Sequence, residues 1–280
     1  MKTKVIMGAI FIAIIGSIGA FIFFNLEPYV ERTVTLSDNS VASGLFSRET
    51  NSLVQGVLTL ASGEEHMGSF INVDGNIMLE EGYLIMPDGA TYNGIFVASG
   101  DGIALHSGTV TTAEGDILEG DFSVKDNTMY LSYGKAQFVN GDTFEGNFNL
   151  HEGTIFLIEG VAQFATGEIH QGIFNLHDDT ISLVEGTITT PDGNIVSGVF
   201  DYTKRMLLEG RMQFEDGDYM DGIFDLSLGF PLVTEGTVYV DGTRFEGIFD
   251  GLDLVNGTVT FADGTTETIT TSNNYDEGSS

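Results

Sequence analysis

The sequence predicts an all-β fold: an elongated, single-layer antiparallel sheet of about ten stacked β-hairpins, preceded by one N-terminal transmembrane helix. Three observations predict it. Glycine recurs in a fixed pattern at a period of about 26 residues. Apolar and polar residues alternate on both sides of those glycines, the signature of half-buried strands. Residues 5–24 form an uncharged apolar run.

That run, VIMGAIFIAIIGSIGAFIFF, spans ~30 Å as a helix at ~1.5 Å per residue, the thickness of a bilayer's hydrocarbon core. A cleaved signal peptide has a shorter apolar region ending in a small-residue site. Ser17 and Gly19 offer such a site, but the mature chain would then start near Phe21, Ile22, Phe23 and Phe24, so an uncleaved signal anchor is the reading adopted. A buried core helix rarely reaches this length without a polar face. Lys2 and Lys4 precede the span, while Glu27 and Glu31 follow it. The positive-inside rule then puts residues 1–4 in the cytoplasm and the rest outside. Residues 25–31 form a short juxtamembrane linker, 32–271 the hairpin array and 272–280 a disordered polar tail.

Charge and composition narrow the partners. The formal net charge is −31, and beyond residue 24 the chain holds 41 acidic against 8 basic residues, a net of 33 negative charges. Such a field repels phosphate backbones and anionic lipid surfaces, which argues against nucleic acid. With no cysteine there are no disulfides, zinc-thiolate sites or thiol nucleophiles.

Each hairpin is read from three glycines. A turn glycine stands at Gly63, Gly89, Gly115, Gly141, Gly167, Gly193, Gly217, Gly242 and Gly264, with Pro-Asp, Asn or Asp beside most of them, which is tight-turn chemistry. Five residues after most of these comes a second glycine, followed two residues on by phenylalanine, as in Gly94 and Phe96, Gly146 and Phe148, or Gly247 and Phe249. An opening glycine precedes the turn at Gly82, Gly134, Gly236 and their equivalents, so the opening and second glycines fall nearly opposite each other. Tyr92, Phe144 and Phe245, two residues before the second glycine, join the phenylalanines on the dry face. Strand glycines weaken a sheet unless a bend or close approach requires them. Here they are expected to leave a notch over which a phenylalanine lies. None opens a helix, so a phosphate-binding role is disfavoured.

Between hairpins runs a connector with a second turn and an aliphatic residue three before the opening glycine, such as Leu79, Leu131 or Leu157. That odd offset allows either the opposite face or the same face reached through a bulge. The two ends are imperfect copies: an initial hairpin lacking its opening glycine and a final one whose second arm is Thr266-Glu267-Thr268-Ile269-Thr270. Atypical ends are expected where a stack must stop without exposing an adhesive edge.

The run Asp88-Gly89-Ala90-Thr91-Tyr92-Asn93-Gly94-Ile95-Phe96 resembles the MORN repeat, as do Gly141-Asp142-Thr143-Phe144-Glu145-Gly146-Asn147-Phe148 and the copy from Asp241 to Phe249. The resemblance covers about residues 33–271, with a longer period than the family's and phenylalanine at every tryptophan position. It implies an elongated sheet of stacked hairpins used for scaffolding and protein contact, and it brings no catalytic residues.

Candidate chemistry is sparse. His151 and His177 occupy equivalent places in successive units, with Asp178 and Asp179 nearby, a weak candidate metal site that needs three or four converging ligands. Exposed turn histidines in a drifting repeat are the preferred reading. His66 and His170 replace the aromatic before the second glycine and are read as packing variants. Glu81, Glu159, Glu185, Glu209 and Glu235 each precede an opening glycine and as a ladder could hold calcium between rungs, although a solvated face is favoured. No nucleophile-elbow motif accompanies the serines, and equivalent glutamates offer no distinct acid and base. The expectation is therefore a non-catalytic, membrane-anchored extracytoplasmic scaffold or spacer that contacts protein and has no cofactor. The alternative is a calcium- or glycan-binding surface module using acidic rungs.

Overall fold

A computed structural model describes residues 28–73, 75–100, 102–177 and 180–270. The apolar run at 5–24 and the tail at 272–280 lie outside the described residues. Among the described residues no helix is long and apolar enough to cross a membrane.

Every regular element among the described residues is a strand, and the chain divides into two compact units at residues 113 and 114. The first unit holds β1 (Tyr29–Thr35), β2 (Val41–Ser47), β3 (Leu53–Thr59), β4 (Glu65–Val73), β5 (Asn76–Ile85), β6 (Thr91–Ser99) and β7 (Gly102–Thr111). The second holds β8 (Ile117–Lys125), β9 (Thr128–Gln137), β10 (Thr143–His151), β11 (Thr154–Gln163), β12 (Ile169–His177), β13 (Thr180–Thr189) and β14 (Ile195–Asp201). It continues through β15 (Met206–Gln213), β16 (Tyr219–Asp225), β17 (Leu232–Val240), β18 (Thr243–Asp250), β19 (Asp253–Thr260) and β20 (Thr266–Thr270). Within each unit every strand pairs antiparallel with the next, forming an open meander. β1 starts at Tyr29, inside the span assigned to the linker, because Tyr29 and Val30 already pair with Ser47 and Phe46.

Two kinds of turn alternate along the chain. The Asp-Gly turns are mostly three-residue loops: the N–H of Gly89 donates to Met86 O at 3.0 Å, Pro87 and Asp88 take the middle, and Gly89 adopts φ +94°. Proline pre-sets the first middle position and glycine alone takes the left-handed one without strain. Asp241-Gly242 differs. Both residues have positive φ, +49° and +80°, between paired Val240 and Thr243, which makes a tight two-residue turn. Connector turns such as Asp126-Asn127 and Glu152-Gly153 are of the same two-residue type.

The opening and second glycines face each other as expected: Gly82 opposes Gly94, Gly134 opposes Gly146, and Gly236 opposes Gly247. They also pair across the connectors, Gly146 with Gly160 for example, so each unit carries an unbroken glycine ladder. Their φ values are +140° to +159°, a region closed to other residues. A Cβ added to Gly146 would stand 2.1 Å from Glu159 O and 2.8 Å from Gly160 Cα. The space beside each ladder glycine is thus filled by the backbone of the strand across the connector. This replaces the expected notch for a phenyl ring: the missing side chain admits a neighbouring strand.

The connector bulge settles the odd offset. Asn147 pairs with Glu159 but Phe148 pairs with Leu157, so Ile158 is the extra residue and Leu157 reaches the face of Phe148. The same slip recurs wherever β2, β4, β6, β8, β12, β14, β16 and β18 meet the next strand. It creates the core: Phe46, Phe70, Phe96, Phe122, Phe148, Phe174, Phe200, Phe224 and Phe249 are buried, each directly opposite an aliphatic partner. Burying each such side chain contributes roughly 1.5–3 kcal/mol. On the other side of the ladder, Phe138, Phe144, Phe164 and His170 meet edge to face at 5.2, 5.8 and 5.0 Å between successive centroids.

Candidate functional site

The face opposite the phenylalanines is open, and the strand register assembles a row there. Beside the glycine ladder of the second unit, Glu159 pairs with Ile173, Ile173 with Glu185, and Glu185 with Val199. The series continues through Glu209, Ile223, Glu235 and Ile248. Carboxylate and aliphatic side chains therefore alternate strand by strand from β11 to β18. The aliphatic members are held out in water: Ile173 is 49% exposed, Val199 41%, Ile223 47% and Ile248 47%. The glutamates are exposed too, and none of these four has a salt-bridge partner among the described residues.

The row follows from local sequence. Glu occupies the place before the opening glycine, and Ile or Val the place after the second glycine. Because those glycines oppose each other, their neighbours fall into one cross-strand line. From β2 to β7 of the first unit the row reads Leu45, Gln55, Ser69, Glu81, Ile95 and Ser107, so Glu81 and Ile95 form the one carboxylate–aliphatic pair of that stretch.

This register bears directly on the acidic-rung reading. Adjacent strands stand ~4.8 Å apart, so consecutive glutamates of the row are about 10 Å apart at the backbone, with an aliphatic side chain between them. Calcium needs six to eight oxygens at roughly 2.3–2.6 Å, and an Ile or Val rung supplies none. Among the described residues no three His, Asp or Glu side chains are grouped so as to hold a metal ion.

The histidines are similarly dispersed. His151 ends β10 opposite Thr154, and His177 ends β12 opposite Thr180, with one strand between them. The His177 ring packs edge to face on Tyr202 at 5.3 Å. Asp178 and Asp179 lie outside the described residues. His66 is buried with Nε2 3.4 Å from the Glu64 carboxylate, and His170 meets Glu168 in the same way. The His66 side chain lies in the core, and the half-buried His170 ring packs edge to face on Phe164. Their glutamate partners, two residues upstream, went unread in the sequence.

Of the repeat positions, Tyr92 pairs with Leu84 and Val110, Phe144 with Ala136 and Ala162, and Phe245 with Val238 and Val259. Burial, and secondarily the charge of Asp88, raises the Tyr92 phenol above its ordinary value of 10.0. Gly89 and Gly141 close three-residue turns, and Gly242 the tighter one.

A second device ties successive Asp-Gly turns together. The residue after a turn glycine accepts a hydrogen bond from the backbone of the next turn: Asp116 from Val139 at 2.9 Å, Asp142 from Ala165 at 2.8 Å, Asn194 from Glu215 at 3.1 Å and Asp218 from Asp241 at 3.2 Å. Where the receiving turn starts with proline there is no N–H to donate, and Pro87 and Pro191 instead pack against the space beside Gly63 and Gly167. Four other turn carboxylates, Asp38, Asp201, Asp225 and Asp263, accept bonds from the hydroxyl and backbone of a Ser or Thr two residues on. These bonds hold their pKa below the ordinary value of 3.8.

No family model matches the chain, and no curated protein matches it.

Proposed function

We propose that this chain is a non-catalytic scaffold, a divergent MORN-like array tethered by residues 5–24 with its repeats outside the cytoplasm, that holds a partner protein on its open face. The observation that carries the reading is the alternating row from Glu159 to Ile248. Exposed aliphatic side chains aligned at every second strand favour association, and the unpaired glutamates between them select a partner whose contact surface interleaves cationic and apolar groups. The high negative charge supports the same choice of partner, because it attracts basic surfaces and disfavours anionic ones. The anchor rests on the length and apolarity of residues 5–24 and on the two lysines before them.

A photo-crosslinking amino acid at Gln171, beside the row on β12, tests the contact in intact cells that make the protein. A discrete crosslinked product, lost on Glu185→Lys with Glu209→Lys, is expected. Absence of any product at Gln171, with the chain present at normal abundance, would sink the reading. A carbonate wash tests the tether, which predicts retention of the full-length chain in the membrane fraction; release of a chain starting near Ala20 would overturn it.

A further inference from the structure

The glycine ladder ends at both termini of the array in a side chain. β1 places Arg32 opposite Gly44, and β20 places Ile269 opposite Gly257, each at a ladder position. Neither residue has positive φ. What sets these two positions apart is their neighbours. Every ladder glycine would drive a Cβ into a strand on its connector side, 2.0–2.2 Å from a backbone oxygen. That Cβ direction comes from the glycine's φ of +140° to +159°, a conformation held at every ladder position with a strand on its connector side and at neither Arg32 nor Ile269. Among the described residues β1 and β20 each pair only on the turn side, so neither Arg32 nor Ile269 faces a strand across a connector.

We infer that Arg32 and Ile269 are stops that prevent the edge strand β20 of one molecule from pairing with β1 of a second copy. Without them the two edges are matched: β20 is an even strand awaiting an odd one, and the free side of β1 faces where an even strand would stand. An edge with unpaired N–H and C=O groups otherwise invites addition of this kind. Joining the edges in the register used by every connector brings the two ladder positions face to face, where glycine alone fits. In the positive-φ backbone that every connector pair adopts, the Cβ of Ile269 meets the incoming strand. Arg32 does the same at the other end, and its guanidinium is held in place 4.3 Å over the Phe46 ring while donating to Asn51. β20 is also short of core residues: Glu267 stands where Phe245 stands in β18, and Ile269 borders an apolar cavity of about 460 Å³ with Met220, Phe245 and Val259. That open end of the core makes the stop matter most at β20.

The test uses the full chain in nonionic detergent, with mass followed by light scattering after size-exclusion chromatography. Wild type, Arg32→Gly alone and Ile269→Gly alone are each expected to keep one mass over a dilution series. An equimolar mixture of the two single variants should double in mass and go no further, because one junction forms and both outer ends remain stopped. The double variant should give an open series of larger species. A mixture and a double variant that both stay at the wild-type mass with wild-type circular dichroism would overturn the inference, as would open-ended growth of the wild type. Should the double variant fail to fold, the mixture of single variants decides alone.

Discussion

The two faces of the second unit obey different rules. On the buried face the same residue types return without drift: glycine at the ladder, phenylalanine two residues on, and an aliphatic residue opposite it through the bulge. On the open face the corresponding row changes, from Asp121, Tyr133 and Asn147 at one end to alternating glutamate and aliphatic residues from β11 onward. The buried rule is imposed by geometry, since a Cβ at the ladder meets a carbonyl and a smaller core residue leaves a hole. No such backbone constraint imposes the open row, and that freedom is what the proposed contact role rests on.

The contrast breaks most readily on the buried side. Gly146→Val forces both the φ of +147° and the collision with Glu159 O, and is expected to destabilise the chain by about 3–5 kcal/mol in chemical denaturation. Asn147→Val, one residue away with its side chain on the open face, should stay within ~0.5 kcal/mol. Equal losses would mean the faces are wrongly assigned. Leu157→Ala removes a fully buried partner of Phe148 and should cost about 3 kcal/mol in the same measurement, whereas Ile158→Ala, at the bulge, should cost clearly less.

Smaller effects follow from the turns. Asp142→Ala strands the N–H of Ala165 and should cost about 1 kcal/mol. The hydroxyl-bonded carboxylates make a pH-dependent contribution. Asp201 and Asp263 are more acidic folded than unfolded, so their stabilisation is complete above the unfolded value and fades as pH falls through the folded one. The difference in melting temperature between wild type and Asp201→Ala with Asp263→Ala should therefore be constant from neutral pH to about pH 4 and shrink below it. A difference that does not change down to pH 2 would contradict this assignment. The smallest effect on stability is expected on the open row, where Ile223→Lys should shift the unfolding midpoint by less than ~0.5 kcal/mol.

Much of the fold was legible because backbone constraints leave marks in sequence. Gly89 with Pro87 and Asp88 announces a turn, and Tyr92 and Phe96 announce a dry face. The bulge at Ile158 left only an odd offset, since parity cannot tell a flipped strand from one with an extra residue. The reason for the ladder was also hidden. Sequence places Gly82 opposite Gly94 across a turn, but the close approach of Gly94 is to Gly108 across the connector, which depends on a register that the bulge sets. The row from Glu159 to Ile248 was half visible: its glutamates stood out, yet the aliphatic residues between them come from other strands and join the row only when the glycines pair.

The central claim is that the open row serves contact and not folding, and one pair of variants tests it most directly. Ile173→Lys with Ile223→Lys is measured twice, for its unfolding midpoint and for its crosslinking yield from Gln171 in intact cells. The account predicts an unchanged midpoint and a yield reduced at least tenfold, as expected when ~1.4 kcal/mol or more of contact energy is removed. A variant that crosslinks at the wild-type yield, or one that unfolds as Gly146→Val does, would contradict it.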